Sequence, residues 1–340
     1  MIPHRSILAS SVRAALRCPR CTSQVEARAN ELHCTRPGCA ASYPVVDGIP
    51  VLVDSQRSAF RIEDIAESVA SDSGNGVAAG SAVPLRRRLL QRLPPLGRNL
   101  RAKENLALLH SALPHDGRAR VVLIIGGATP GVGTEQLTSD DTCDVVESDV
   151  YIGARTNLVC DAHVIPLADG TVDAVIMQAV VNALSEPERA IAEIYRVLRP
   201  QGLVYVEAPF MQQVCEGSFD YYRFSHLGLR RLLRNFDEMR SGAQGGPGMA
   251  AALAYQHFLL SLAPNRAFRA LSVVFARLTA FWLPLLDRWL VDRPGAVDAA
   301  AGVFFLGRRS DTTLTESEIR ASYRGWRQYS SRQYVTSRSA

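Results

Sequence analysis

Residues 121–125, an unbroken apolar run, give way at once to the glycine-rich stretch "GGATPGVG". A strand with no polar alternation is one buried on both faces, and small residues at its end let φ turn positive and a ligand approach the backbone. Further apolar runs follow at 144–148, 172–177 and 203–207. A helical pattern, "EPERAIAEIYRVL", stands between the last two, and another covers 103–113. Strands alternating with helices in this way predict an α/β chain with a doubly wound, Rossmann-like, mostly parallel sheet. Ligands on such sheets bind beyond the carboxyl ends of the strands. After residue 248 the alternation yields to helical apolar patterns, a helical insertion over about 248–298, before "AGVFFLGRR" rejoins the sheet as its last strand.

The glycine turn does not fit a dinucleotide fingerprint, because Ala128 interrupts one register of G-x-G-x-x-G and Gln136 the other. No Lys-Ser/Thr follows to make a phosphate loop. Gly126, Gly127, Gly131 and Gly133 remain as residues that open space for a ligand, beside the plainer reading of a turn between packed elements. About twenty residues on, where a carboxylate grips ribose hydroxyls in nucleotide-binding sheets, stand Glu147 and Asp149. Asp149 is the better placed, since Glu147 lies within the strand. Asp161 closes the next run.

Four of the seven cysteines crowd into the first forty residues, Cys18 and Cys21 as C-x2-C and Cys34 and Cys39 as C-x4-C. Paired knuckles of this spacing suit a structural, four-thiolate zinc site. Disulfides or plain thiols are the alternative, and His33 stands close enough to replace one ligand. Two β-rich runs flank Asp47-Gly48, a dipeptide that suits a tight hairpin. A module so small needs the metal to fold.

The expected organisation is a zinc ribbon over 1–55, a linker with a basic segment over 56–100, the α/β domain over 101–310, and a polar, partly mobile tail over 311–340. Hydrophobic residues make up 47% and charged ones 21%, which excludes a chain disordered throughout. A net charge of +5 is too small to imply nucleic acid by itself. The first twenty residues lack a secretory apolar core, so a cytoplasmic location is expected. In the helical insertion, "FLLSL", "ALSVVFARL" and "FWLPLL" alternate with Arg266, Arg269, Arg277 and Arg288. Such a stretch either packs as a substrate wall or dimer contact, or rests peripherally on the inner face of an acidic membrane. The oligomeric state is open.

The segment from 121 to 233 resembles a class I S-adenosylmethionine-dependent methyltransferase, methyltransferase type 11-like. The resemblance rests on the glycine turn, the "ESD" strand end, "CDAHVIPLADGTVDAVIMQAVV", "EIYRVLRPQGLVYVEAPF" and "MQQVCEGSFDYYRFSHLGLRRLL". It implies that Gly126, Gly127 and Gly131 cradle the methionine part of S-adenosylmethionine and that Asp149 binds the ribose. It further implies that Asp161 and Ala162 meet the adenine and that Gln178 borders the methionine end. The ligand's sulfonium and ammonium agree with a site of carboxylates and carbonyls. The amino-terminal part resembles the zinc-ribbon proteins that activate methyltransferases, through "LRCPRC", "CTRPGC" and "YPVVDGIPVLV".

Candidates for acceptor chemistry follow the "EAPF" strand: Glu216, Asp220, Tyr222, Arg223 and His226. The aromatic residues among them are open to a simpler reading as a packed lid. The sequence departs from the family where a Glu-His pair is replaced by Asn182-Ala183 and where Cys215 replaces a histidine. The expected function is methyl transfer to a small molecule, sugar or lipid-linked glycan. An RNA methyltransferase and a non-catalytic scaffold that only binds the cofactor are the rivals.

Overall fold

The computed structural model describes residues 8–61, 93–293 and 295–326. The linker over 68–84, the first part of the basic segment and the end of the tail lie outside the described residues.

Seven strands form the catalytic sheet: β5 (Arg120–Ile125), β6 (Cys143–Asp149), β7 (Leu158–Cys160), β8 (Val172–Gln178), β9 (Leu198–Pro209), β10 (Phe236–Gly245) and β11 (Gly302–Arg309). Their order is β7-β6-β5-β8-β9-β11-β10. The first five run parallel, and β11 lies antiparallel between β9 and β10. The strand order reverses between β5 and β6 on one side and β8 on the other, which places a crevice above their carboxyl ends.

Period-two alternation explains why the parallel strands read as continuous apolar runs. Val121, Leu123 and Ile125 face one core with Val175, Met177, Val204 and Val206, under helix α4 (Pro187–Val197). Val122 and Ile124 face the other with Ile176, Leu203 and Tyr205, under Leu106 and Leu109 of helix α2 (Ala102–Ser111). Helix α4 starts with Pro187 in its first turn and buries Ile191, Ile194 and Val197. Each such side chain contributes about 1.5–3 kcal/mol on leaving water.

The amino-terminal module holds a short helix, α1 (Ser10–Ala14), and an antiparallel ribbon of β1 (Val25–Arg28), β2 (Glu31–Cys34), β3 (Ser42–Val46) and β4 (Ile49–Leu52). The β3–β4 turn is the expected two-residue hairpin, with φ of 50° at Asp47 and 79° at Gly48. Strand β4 then pairs in parallel with β7, so the ribbon extends the catalytic sheet to eleven strands. Leu8, Val12, Leu16, Leu32, Tyr43 and Leu52 share a core with Leu158, Ile165 and Leu167.

Two elements differ from the sequence expectations. Strand β10, "FDEMRSGAQG", is an edge strand with mostly half-exposed positions, so it carries no apolar period to read. In the tail, residues expected to be mobile form helix α9 (Glu316–Ala321), held by a reciprocal cap between Thr315 and Glu318 and by buried Ile319. The insertion consists of helices α6 (Pro247–Ser261), α7 (Arg266–Ala280) and α8 (Leu283–Leu290). A short helix, α3 (Glu135–Thr138), follows the glycine turn, and α5 (His226–Leu232) precedes β10.

Candidate functional site

The turn after β5 is bound to the end of β6 by two hydrogen bonds, from the N–H groups of Gly126 and Gly127 to the Ser148 carbonyl, both 2.9 Å. Gly126 has φ of 80°, and a Cβ there would lie 2.4 Å from Val180. A Cβ on Gly127 would lie 3.1 Å from the Cβ of Glu147, and one on Gly131 would lie 2.1 Å from Gln178 Oε1. The turn therefore depends on glycine both for its conformation and for its approach to β6 and β8. Gly133, with φ of 90°, is instead pressed against the backbone of Lys103.

At the end of β6, Asp149 accepts hydrogen bonds from Ala128 N–H at 3.1 Å and Val150 N–H at 2.8 Å. Its carboxylate thus hangs at the rim of the glycine turn, and burial pushes its pKa up. Glu147 is buried, not solvent-facing, and pairs with Arg155 at 2.7 Å. At the end of β7, Asp161 is also enclosed. Oδ1 accepts from His163 N–H at 2.9 Å and meets His163 Nδ1 at 2.6 Å, while Oδ2 accepts from the Ser58 hydroxyl at 2.5 Å. His163 Nε2 in turn accepts the Glu186 N–H at 3.2 Å, which assigns the remaining ring proton to Nδ1. Ala162 is buried beside this pair and offers only its backbone.

Ser58 comes from the segment that follows β4. Asp54 folds that segment back, its carbonyl accepting from the N–H groups of Arg57 and Ser58. Two residues later Phe60 stacks on Phe219, with ring centroids 5.9 Å apart. The ribbon thereby builds one wall of the crevice.

Gln178, ending β8, donates to Val132 O at 3.2 Å and to Glu207 Oε2 at 3.3 Å, while its Oε1 is buried with no partner. The next residue, Ala179, is held at φ of 54°, an uncommon conformation for a residue with a Cβ. Glu207 was not singled out from the sequence. It is almost wholly buried in β9 and accepts from Tyr205 at 2.5 Å and Asn99 at 2.8 Å, with burial raising its pKa. A carboxylate in an otherwise apolar strand was the available signal.

The five residues named for acceptor chemistry fall into four environments. Asp220 and Arg223 form a bidentate ion pair, and Asp220 also accepts from Cys215 N–H at 2.7 Å and Asn182 Nδ2 at 3.2 Å. The Arg223 pairing holds the Asp220 carboxyl well below the usual range. Arg223 further donates to the carbonyls of Gln212, Gln213 and Tyr222, which ties residues 210–223 into a compact strap. Tyr222 lines the crevice side of this strap and donates to Ser185 O at 3.1 Å, while Glu216 is exposed. His226 is buried at the start of α5, 2.7 Å from Ser241 Oγ, and is not among the residues lining the cavity. The Cys215 residue is exposed at the surface, but desolvation of its sulfur by the surrounding strap, together with the Asp220 and Glu216 charges, pushes its thiol pKa up, which disfavours a thiolate nucleophile.

Between the strap and α6 lies a cavity of about 930 Å³. Phe210, Met211, Tyr221 and Tyr222 line one side, and Ala250, Ala254 and His257 the other. His257, a polar residue in the apolar stretch "MAAALAYQHFLLSLAP", is the ionisable side chain that the insertion contributes to this lining. Its distance in sequence from the sheet motifs hid it.

The four amino-terminal thiols converge: Cys21 and Cys34 sulfurs are 3.4 Å apart, Cys18 and Cys39 sulfurs 3.9 Å, and all four lie within 4.8 Å of one another. Tetrahedral zinc with bonds of about 2.3 Å requires sulfur separations of roughly 3.8 Å, so the donor set fits that ion. His33 is turned to Glu31 at 3.1 Å.

Residues 132–206 match the family model described as a methyltransferase domain. This stretch contains Asp149, Asp161, Ala162 and Gln178. No curated protein matches the chain. Among solved structures the chain is similar to phosphoethanolamine N-methyltransferase 2 of Haemonchus contortus in complex with S-adenosyl-L-methionine. The identity is 18% over 64% of this chain and 55% of that one, with a TM-score of 0.40. It is also similar to 1,6-didemethyltoxoflavin-N1-methyltransferase of Burkholderia thailandensis, at 16% identity over 85% of this chain and all of that one, TM-score 0.37. The cyclase SpnF is a third, at 18% identity over 61% of this chain and 80% of that one, TM-score 0.38. The domain match supports an S-adenosylmethionine-dependent methyltransferase enzyme and leaves the acceptor unspecified.

Proposed function

We propose that this enzyme methylates a small organic acceptor, whether a free small molecule, a sugar or a lipid-linked glycan, held in the cavity between the strap and α6. The observation that carries this reading is the position of that cavity beyond the end of β9, the strand whose Glu207 pairs in register with Gln178 at the end of β8. When bound, S-adenosylmethionine supplies an electrophilic methyl group on a sulfonium with a neutral leaving group. The chain's work is then to orient the acceptor and exclude water.

In this proposal Asp149 accepts from the ribose hydroxyls and Gly126, Gly127 and Gly131 leave room for the methionine part. An adenine amino group reaches Asp161 by displacing the Ser58 hydroxyl, while His163 keeps that carboxylate oriented. Gln178, with its unpartnered buried Oε1, offers an acceptor near the methionine end. Asp220 stays ionised and paired with Arg223, which suits it to hold the strap and not to take a proton. His257 is the residue assigned to accept a proton from a hydroxyl acceptor. The four cysteines hold a structural zinc, and the ribbon's role is to carry Ser58 and Phe60 to the crevice.

Asn182 bears on the scaffold reading. Its carbonyl accepts from the N–H groups of Tyr221 and Tyr222 and its amide donates to Asp220, so it anchors the strap over the cavity. An RNA acceptor has less support, since Arg223, the guanidinium in the cavity lining, is committed to Asp220. The test is release of S-adenosylhomocysteine across a panel of small acceptors, with Ala254→Trp as the variant that fills the cavity. Acceptor-dependent turnover that Ala254→Trp abolishes while cofactor binding persists is expected. Unchanged turnover in that variant would place the acceptor elsewhere.

A further inference from the structure

Helix α7 packs Ala276 and Ala280 against Ala252 of α6, which leaves its other side without a partner among the described residues. On that side Phe268, Leu271, Phe275 and Leu278 recur at intervals of three and four residues, and each is more than half exposed. The stripe continues through Trp282 to Leu285 and Trp289 of α8, and the end of α6 adds exposed Phe258, followed by exposed Leu262 just beyond the helix. Apolar surface gathered this way is far beyond scattered single residues and marks an interaction face.

Charge identifies what the face meets. Helices α6 to α8 carry Arg266, Arg269, Arg277 and Arg288 against a single acid, Asp287. That acid is buried and accepts the N–H groups of Gly248 and Met249 at 2.8 and 2.7 Å. The exposed surface of these three helices is therefore apolar and cationic, and the acids that follow them are engaged elsewhere, Asp292 by Arg101 and Asp298 by the Tyr323 hydroxyl and the Trp326 N–H. A second copy docked by two-fold symmetry would set arginines against arginines, an arrangement without compensation. Anionic lipid headgroups over an acyl region complement both components at once. No single helix among the described residues is long and apolar enough to cross a membrane; α7 and α8 reach that length and composition only together, and they meet at a 46° bend.

We propose that the helical insertion seats the protein on an anionic bilayer surface, with the apolar stripe in the headgroup boundary and the exposed Arg266, Arg269 and Arg288 at the phosphates. Helix α6 links this face to the cavity: Ala254 and His257 line the cavity, and Phe258, the next residue, belongs to the exposed apolar end. On the methyl-transfer reading, which this last step rests on, the acceptor is an amphiphile delivered from the membrane.

The experiment is flotation of the full-length, zinc-loaded protein with vesicles of phosphatidylcholine alone or mixed equally with phosphatidylglycerol. The variants are Phe275→Ser with Leu278→Ser, and Arg269→Glu with Arg288→Glu, each exposed pair checked for native circular dichroism and for cofactor binding. Recovery with the anionic vesicles alone is expected, falling at least about five-fold in either double variant and in about 0.5 M salt. No recovery with anionic vesicles, or recovery that both variants retain, would overturn the proposal. So would a dimer that Phe275→Ser with Leu278→Ser dissolves in the absence of vesicle binding, since the occupant would then be a second copy. Cofactor titration on the same samples reports the methyl-transfer reading separately, so failure of one is not mistaken for failure of the other.

Discussion

At the residue scale the crevice is built from carboxylates whose surroundings differ, and the difference separates their roles. Asp220 is matched by a guanidinium, Asp161 by a histidine and a hydroxyl, and Glu207 by three neutral donors with no cation. Burial raises the Glu207 pKa above its unfolded value of about 4.3, so the folded chain binds that proton more tightly than the unfolded one. Stability from this group is full below the unfolded pKa and is lost as pH rises through the folded one. Glu207→Gln should therefore flatten the decline in thermal stability as pH rises above about 4, measured by melting at several pH values. A parallel decline in both proteins would show that Glu207 titrates normally. Ala179 offers a test of opposite sign. Ala179→Gly should raise stability by about 1 kcal/mol in denaturant melts, because glycine adopts the observed φ of 54° without a Cβ penalty. Much of this layer was legible in advance, since Asp149, Asp161 and Gln178 are marked by strand ends. Glu207 and His257 were not, because their importance depends on which strand or helix lies across from them.

At the element scale the strap and the ribbon do comparable work: each brings a loop to the crevice and locks it with polar contacts. Asp220→Asn removes the ion pair that holds Arg223 while keeping the side chain's shape. The loosened strap should raise the acceptor KM several-fold and leave cofactor affinity unchanged, and a change confined to cofactor affinity would contradict the assigned role. Stability supplied by this ion pair is present above the unfolded carboxyl pKa and is lost as pH falls through the depressed folded value. Strands β5, β6, β8 and β9 were readable because burial on two faces writes continuous apolar runs. Strand β10 was not readable, since an edge position tolerates "DEMRS" and pairing with β11 is decided by residues some sixty positions away.

At the scale of the whole molecule the amino-terminal module and the catalytic domain form one sheet and share the core on one of its faces. The cysteine spacing announced a ribbon, yet nothing local in "IPVLV" announces that β4 pairs with β7. Zinc removal is expected to lower the melting temperature of the entire chain in one cooperative transition, followed by calorimetry with and without chelator. Two separated transitions, with the catalytic part unchanged, would mean that the ribbon folds independently. The apolar, arginine-bordered insertion extends from the opposite end of the order of elements and leaves the crevice between two attachments, one that builds its wall and one that faces outward.

The cofactor site is the claim on which the remaining chemistry stands, and calorimetric titration of zinc-loaded protein with S-adenosylmethionine tests it directly. One site with a Kd on the order of micromolar is expected, with heat lost in Asp149→Ala that retains its native circular dichroism. Folded wild-type protein that gives no heat of binding, or an Asp149→Ala variant that binds as tightly as wild type, would contradict the assignment of the crevice.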